Sequence, residues 1–180
     1  MNYGISTSAF RPKVPVKHKV FISYHHQEDQ AYYDAFSKKF HDTYNAIYDN
    51  SLERRIDSDD VNYVMRRIRE NHITGTSCTI VLVGADSPER KYIDWEISAT
   101  LGKEHALIGV RLPSARLSQD KKHVIVPDRL VDNINSGFAL WLTWEQITSS
   151  AAQLDQYIAE AKSRSATLID NSRARRVRNG

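Results

Sequence analysis

The chain has 180 residues, a formal net charge of +3 and one cysteine, Cys78. This length predicts one domain, and a lone cysteine excludes a fold held together by internal disulfide bonds. No apolar run approaches the ~18 residues that span a bilayer, and residues 1–16 lack the apolar stretch of a signal peptide. We therefore expect a soluble, cytoplasmic protein.

The basic residues are concentrated at the C-terminal end. Residues 171–180 contain four arginines and no acid, and without them the chain has 21 basic and 22 acidic residues. Two interpretations stay open: a disordered, solvated tail, or a docking segment for nucleic acid or an acidic partner. No RNA-binding signature or zinc-finger spacing accompanies the arginines, which argues against nucleic acid. We expect a flexible arm over 1–17, a domain over 18–164 and a basic tail over 165–180.

The first predicted elements are a buried strand and a helix. Residues 19–23 form a short apolar run, which favours a strand. From Asp29 to about Tyr44, large apolar side chains recur every four residues, a pattern typical of one helix face. The residues expected on this face are Tyr32, Phe36 and Phe40, with Ala31 and Ala35 beside them.

A second strand and helix are predicted next. Residues 46–48 are a short apolar run that ends at Asp49-Asn50-Ser51. Ser58 is placed to cap a helix, and two acids follow it in the first turn, where they favour the helix dipole. The apolar face of this helix comprises Val61, Val64, Met65 and Ile68, and Arg66, Arg67 and Arg69 lie near its end.

The third strand carries the strongest signal. Residues 78–83 are apolar almost throughout, as expected for a parallel strand that helices cover on both faces. The turn that follows ends in Ser87-Pro88, with the serine placed to cap a helix and the proline at its first position. We expect this helix to run to about Lys103.

The C-terminal half is less regular. Strands are predicted over 106–112 and 138–142, and a last helix over 149–163. The segment 113–136 contains two prolines and many polar residues, which predicts a long loop with room for a short helix.

Alternation of strands and helices predicts a three-layer α/β sandwich with a five-stranded parallel sheet. The flavodoxin-like strand order 2-1-3-4-5 is the default for this length. Ligands in such folds bind beyond the carboxyl ends of the strands, at the switch point between strands 1 and 3. The segments expected there are Ser23-Tyr24-His25, Asp49-Asn50-Ser51 and Gly84 to Ser87.

Three blocks together resemble TIR domains. Val20-Phe21-Ile22-Ser23-Tyr24 is similar to their opening strand, and Ser87-Pro88 followed by Tyr92-Ile93-Asp94-Trp95-Glu96-Ile97 is similar to their third helix. Tyr92 stands at a position that is usually Trp, Glu96 stands at the catalytic Glu position, and Trp95 departs from the common pattern. With Tyr48 to Leu52, the matched blocks cover about 19–110 and are most similar to the TIR-like (ThsB-type) proteins of the Thoeris antiphage defence system.

The resemblance implies an enzyme that cleaves NAD at the bond between nicotinamide and ribose. One carboxylate, Glu96, would stabilise the positive charge that develops on the ribose. Nicotinamide leaves as a neutral group, so the second carboxyl that serves as acid in ordinary glycosidases is not needed. No GxGxxG or P-loop motif occurs, which favours NAD as a substrate and not as a bound cofactor.

Further site residues each have a functional and a structural interpretation. Ser23 and Tyr24 would contact nicotinamide or its ribose, or would cap and pack a helix. Asp49 and Ser51 lie in the loop before the second helix, which TIR domains use for self-association and for gating the pocket, or they form a turn. A metal site at His25 and its neighbour is disfavoured because adjacent histidines diverge. The other residues proposed to bind substrate are His25, Ser87, Tyr92 and Trp95.

Three hypotheses of function stay open at this stage. An NAD-cleaving enzyme would form a cyclic or conjugated ADP-ribose signal for a separate effector protein, and the resemblance implies a phage-derived trigger. A non-catalytic TIR scaffold would signal by self-association alone. A phospho-acceptor receiver has the same fold, but Ser23-Tyr24-His25-His26 replaces the acids that it needs after strand 1.

Overall fold

The computed structural model describes residues 19–41, 47–48 and 61–180. The strands are β1 (Val20–Ser23), β2 (Ile47–Tyr48), β3 (Cys78–Val83), β4 (Ala106–Arg111) and β5 (Leu140–Thr143). Every neighbouring pair is parallel, and the order across the sheet is β2-β1-β3-β4-β5. The order reverses direction between β1 and β3, which creates the predicted switch point.

Four of the predicted strands, the first, third, fourth and fifth, are confirmed. At the second, residues 47–48 pair beside β1, while Ala46 lies outside the described residues, so a full second strand stays a prediction. The fifth strand begins at Leu140 and not at Phe138. The reason is that the amide of Ala139 donates to a carbonyl at the end of the preceding helix, which takes it out of the sheet.

Six α-helices are present in the described residues, with a π-helical turn at Arg69–Ile73 and 3-10 turns at Ser87–Glu89 and Ala166–Leu168. The helices are α1 (His26–Phe40), α2 (Val61–Ile68), α3 (Lys91–Leu101), α4 (Asp128–Asn135), α5 (Trp144–Ile147) and α6 (Ala151–Lys162). The predicted cap of α2 at Ser58 lies outside the described residues.

The buried face of α1 differs from the predicted one. The buried residues are Asp29, Tyr33, Phe36 and Phe40, whereas Tyr32 is half-buried and the two alanines are exposed. Steps of four residues drift by about 40° around a helix, while the alternating steps of four, three and four that the structure uses keep one face. The helix also starts three residues earlier than predicted and ends at Phe40.

The start of α3 also corrects the sequence prediction. Ser87 and Pro88 form a 3-10 turn, Arg90 is extended, and the α-helix begins only at Lys91. Ser87 does not cap the helix because its hydroxyl is bonded to groups beside β3 and α1. The helix ends at Leu101, two residues short of the predicted end.

The loop predicted over 113–136 contains one helix, α4, and an isolated antiparallel bridge between Leu117 and Val124. The last helix, α6, starts at Ala151 because Ser150 caps it by accepting a hydrogen bond from the Gln153 amide.

Helices pack on both faces of the sheet. On one face, strand residues such as Ile80 and Ile108 pack with α1 and α6. On the other face, Val81 and Leu107 pack with α3 and α4, and Phe21 packs with α2 and α3. Within the described part of the chain, no helix has the length and apolar character needed to cross a membrane.

The C-terminal residues pack along α3 and α4. We define Asp170–Gly180 as the C-terminal strap. The Asn133 side chain clamps the start of the strap, accepting from the Asp170 N–H at 3.0 Å and donating to its carbonyl at 2.7 Å. Arg173 donates to both carboxylate oxygens of Asp132, at 2.7 and 2.9 Å. A disordered, solvated end is therefore not what these residues form, because specific hydrogen bonds hold them.

Candidate active site

The site is built around a contact between β1 and α3. Ser23 is the last residue of β1, and its Oγ donates a hydrogen bond of 2.5 Å to Glu96 Oε2. Glu96 is 2% exposed and Ser23 is 1% exposed. The two residues predicted from the first and third sequence blocks therefore meet in space, at the carboxyl edge of the sheet where the strand order reverses.

Hydrogen bonds and packing fix Glu96 against the sheet. Thr100 Oγ1 donates to the Glu96 carbonyl at 2.9 Å and lies 2.8 Å from Thr79 Oγ1 on β3. Ile93, about one turn before Glu96, and Ile97, the residue after it, pack into the apolar cluster with β3 and β4. These contacts fix the position of α3 along β3, and this position places the Glu96 carboxyl beside the Ser23 hydroxyl.

The whole stretch from Ile93 to Leu101 is buried. A helix in an outer layer normally leaves one face in water, but here the strap covers that face. The Glu96 carboxyl lies on the other side of the helix, towards the sheet, and is also enclosed by protein, where electrostatic interactions are stronger than in water.

Tyr24 and His25 lie directly after β1 and are buried. The Tyr24 ring stacks on Tyr33 of α1, with centroids 4.7 Å apart, and its hydroxyl contacts Gln30 and His26 at 3.1 and 3.2 Å. The His25 carbonyl accepts from the Asp29 amide at the start of α1. These contacts join β1 to α1, on the face of the sheet opposite α3, and a role in binding substrate stays a prediction.

Ser87 belongs to a second polar cluster at the same edge. Its Oγ accepts from the Gly84 amide at 3.0 Å and donates to Asp29 Oδ2 at 3.0 Å. Asp29 is fully buried, and this burial raises the pKa of its carboxyl to about 6. A Cβ on Gly84 would lie 2.0 Å from Asp29 Oδ1, so only glycine leaves room for the carboxyl.

The sequence analysis includes Gly84 in the segment expected at the switch point, but it misses Asp29, which it assigns only to the start of α1. The signal was available in the spacing, because Asp29 falls one turn before Tyr33 on the face that also holds Phe36 and Phe40. A carboxyl on the buried face of a helix requires a polar partner, and Ser87 provides it.

Trp95 and Tyr92 contact the core, the strap and each other. Trp95 is buried, packs with Phe21 and Met65, and donates from Nε1 to the Arg176 carbonyl at 2.8 Å. Tyr92 meets the Trp95 ring edge-on, with centroids 5.5 Å apart. Their described contacts are thus with the core and the strap, and their predicted role in substrate binding stays a prediction.

The remaining candidates do not change the site. Asp49 and Ser51 lie outside the described residues. Among the described residues, no group of three or more His, Cys, Asp or Glu could hold a metal ion. Cys78 is buried in β3, and burial raises the pKa of its thiol to about 12, so the thiol stays protonated and unreactive.

The parallel sheet with helices on both faces is consistent with the flavodoxin-like fold of a TIR-like domain. A family model described as the TIR-like domain of the Thoeris protein ThsB matches residues 21–117. The chain therefore belongs to the family of ThsB-type TIR-like domains, as its sequence motifs predicted. Comparison with curated protein sequences gives no match.

Proposed function

We propose that this defence-related TIR-like protein cleaves NAD, releases nicotinamide and forms a cyclic or conjugated ADP-ribose signal. The observation that carries the proposal is the 2.5 Å hydrogen bond from Ser23 to Glu96 at the switch point. It brings a carboxyl group and a hydroxyl donor together at the edge where ligands of this fold class bind.

The chemistry needs one carboxylate. When the bond between the ribose C1′ and the pyridinium nitrogen breaks, its electron pair moves to nitrogen and nicotinamide leaves as a neutral molecule. The ribose carries the positive charge, which Glu96 would stabilise from a fixed position. A hydroxyl nucleophile then bonds to C1′ and loses its proton. Water gives ADP-ribose, a group within the same molecule gives a cyclic product, and an external acceptor gives a conjugate.

The burial of Glu96 fits an enzyme that rests in an inactive state. At 2% exposure, its carboxyl has no open path for a substrate as large as NAD. Turnover would require the segments beside the site to open while α3 keeps its place, and a phage-derived trigger would supply the binding energy for this change. Such control suits an activity that would exhaust cellular NAD if it were constant.

The proposal has further parts. The enzyme would act in the cytoplasm, with NAD as its substrate and no bound cofactor. Its product would be sensed by a separate effector protein, and contacts between TIR surfaces of several copies would assemble the active form. Membership of the family of ThsB-type TIR-like domains supports these partners.

The test is nicotinamide release by the purified protein, with and without extract from phage-infected cells. Glu96→Gln keeps the size of the side chain and removes its charge, so we expect at least a hundredfold loss of release. Glu160→Gln, on the surface of α6, is the matched control and should behave as wild type. Equal release by wild type and Glu96→Gln would assign the chemistry to another residue, and the mass of the second product would identify the signal.

A specific observation also favours a non-catalytic scaffold. The buried Ser23–Glu96 hydrogen bond joins β1 to α3 and would be useful for stability alone. Under this alternative, the protein would release no nicotinamide under any condition, and Glu96→Gln would leave self-association and antiphage protection unchanged. Protection of cells from phage, compared between wild type and Glu96→Gln, separates the two functions.

A further inference from the structure

Helix α3 lacks a capping residue of its own. The residue before its first turn, Arg90, makes no side-chain capping bond, and Ser87 is engaged elsewhere. Instead, the Lys91 amide donates to Asn179 Oδ1 at 2.9 Å, across 88 residues of sequence. Asparagine is among the best residues for this purpose, so the strap completes the N-terminus of the helix that carries Glu96.

From Asn179 back to Asn171, the strap lies along the outer face of α3, from the first turn of the helix towards its C-terminal end. The Arg176 amide donates to Asp94 Oδ2 at 2.9 Å, and the Arg176 carbonyl accepts from Trp95 Nε1 at 2.8 Å. Further along, Asn171 Nδ2 donates to the Ser98 carbonyl at 3.1 Å. All four of these bonds use the strap backbone or an asparagine side chain, so they hold the strap on α3 in one register.

Strap contacts and site contacts lie on two different faces of α3. Lys91, Asp94, Trp95 and Ser98, which contact the strap, follow the spacing of one helical stripe. The contacts of Glu96 and Thr100 with Ser23 and Thr79 lie on the face towards the sheet. The helix is consequently held between β1 and β3 on one side and the strap on the other.

A buried arginine links the strap to α4. Arg129 is 1% exposed, and its Nε donates to Asp94 Oδ1 at 2.9 Å. Its other nitrogens donate to Asn171 Oδ1 at 2.7 Å and to the Ala174 carbonyl at 3.2 Å. A buried cation needs all its partners, so loss of the strap would loosen the Arg129–Asp94 pair and, with it, the first turns of α3.

We propose that the C-terminal strap is a positioning element for Glu96, which it holds against Ser23 by fixing α3 from the outer face. This inference rests on the proposed function where it concerns catalysis. Its structural part, the dependence of the Glu96 environment on the strap, stands without it.

The test loosens the strap in the full-length chain by Arg173→Ala/Asn179→Ala. Both positions are exposed, so these changes remove two anchors and leave no buried charge unpaired. The control, Arg175→Ala/Arg178→Ala, removes more charge from exposed strap side chains but keeps both anchors. The rescue variant, Arg173→Lys/Asn179→Asp, restores a cation and a capping acceptor.

Three readouts are measured on each variant. They are deuterium exchange of the amides of Lys91–Leu101, the carboxyl ¹³C resonance of Glu96 assigned with Glu96→Gln, and kcat and KM for nicotinamide release. In Arg173→Ala/Asn179→Ala, we expect exchange in the first turns of α3 to rise about tenfold, the Glu96 resonance to move and kcat to fall with KM little changed. The control and rescue variants should resemble wild type.

The outcomes are distinguishable. An unchanged Glu96 resonance would overturn the positioning role, as would a shift that the control variant reproduces. A moved resonance with an unchanged kcat would overturn the link to catalysis. If wild type releases no nicotinamide with any extract, the proposed function fails, and the exchange and resonance data still decide whether the strap positions Glu96.

Discussion

Trp95 and Glu96 are neighbours on α3 but bond to opposite ends of the chain. Trp95 donates to the carbonyl of Arg176, and Glu96 accepts from the hydroxyl of Ser23. Because successive residues of a helix point about 100° apart, one side chain reaches the strap and the other the sheet. Two successive residues of α3 therefore contact the strap and β1.

The Ser23–Glu96 bond should be visible as a coupling energy. Ser23→Ala leaves the buried carboxyl without this donor, and we expect it to lower the free energy of unfolding by about 1–3 kcal/mol. Combined with Glu96→Gln, the loss should be less than additive, with a coupling of about 0.5–3 kcal/mol. Urea denaturation of both single variants and the double variant measures it. Additive losses would mean that the two side chains do not interact in solution.

Gly84→Ala should be strongly destabilising. The added Cβ would lie 2.0 Å from Asp29 Oδ1, so either the turn after β3 or the buried carboxyl has to move. Overpacking of this kind costs about 1–3 kcal/mol. In the control Gly102→Ala, the added Cβ would lie 3.4 Å from the Ser98 carbonyl, and we expect little change. Adding Asp29→Ala to Gly84→Ala should recover part of the loss, and a full additive loss would contradict this contact.

The layers of the fold could be predicted from sequence because strand and helix patterns are local. The third strand, 78–83, is apolar except for Thr79, and the structure has it with the same bounds. The face of α1 could not be predicted from the recurrence of Tyr32 alone, since Asp29 belongs to the buried face and a carboxyl is not an expected core residue.

The site could be predicted only in part. Ser23 and Glu96 were found because two motifs resemble a family, although 73 residues separate them. The role of the arginine-rich end could not be found, because its docking depends on a buried pair between Asp94 and Arg129. In the sequence, these two residues resemble any exposed acid and base, and no local pattern indicates that they meet.

Stability should depend on pH through Asp29. Its folded pKa is raised to about 6 from 3.8, so the folded state binds the proton more tightly than the unfolded chain. This contribution is fully present below pH 3.8 and is lost as the pH rises through about 6. Its upper limit is about 3 kcal/mol. The amide in Asp29→Asn cannot ionise, so this variant should not lose that part of its free energy of unfolding as the pH rises.

Unfolding free energies by urea from pH 4 to 7.5 test this dependence. The difference between wild type and Asp29→Asn isolates the carboxyl, because the other titrating groups are shared. Asp34→Asn, on the exposed side of the same helix, is the control for an Asp-to-Asn change in α1. A difference for Asp29→Asn that does not change with pH would contradict the raised pKa.

Two arginine–aspartate pairs connect α4 and its neighbours, and they should differ sharply in strength. Arg129 is buried against Asp94, whereas Arg173 meets Asp132 at an exposed surface. Arg129→Met would leave the Asp94 carboxylate buried without its cation, so we expect a loss of about 3–5 kcal/mol in the free energy of unfolding. Arg173→Met should cost about 1 kcal/mol or less, because water screens an exposed pair.

The reason for the larger loss can be tested by removing both charges of the buried pair. Asp94→Leu/Arg129→Met has no uncompensated buried charge, so it should be more stable than Arg129→Met alone. Recovery should stay incomplete, because Asn171 Oδ1 and the Ala174 carbonyl would still lack their donor. Equal losses for Arg129→Met and Arg173→Met would mean that the strap leaves Arg129 open to water in solution. The buried contact of Arg129 with Asp94 of α3 would then be wrong.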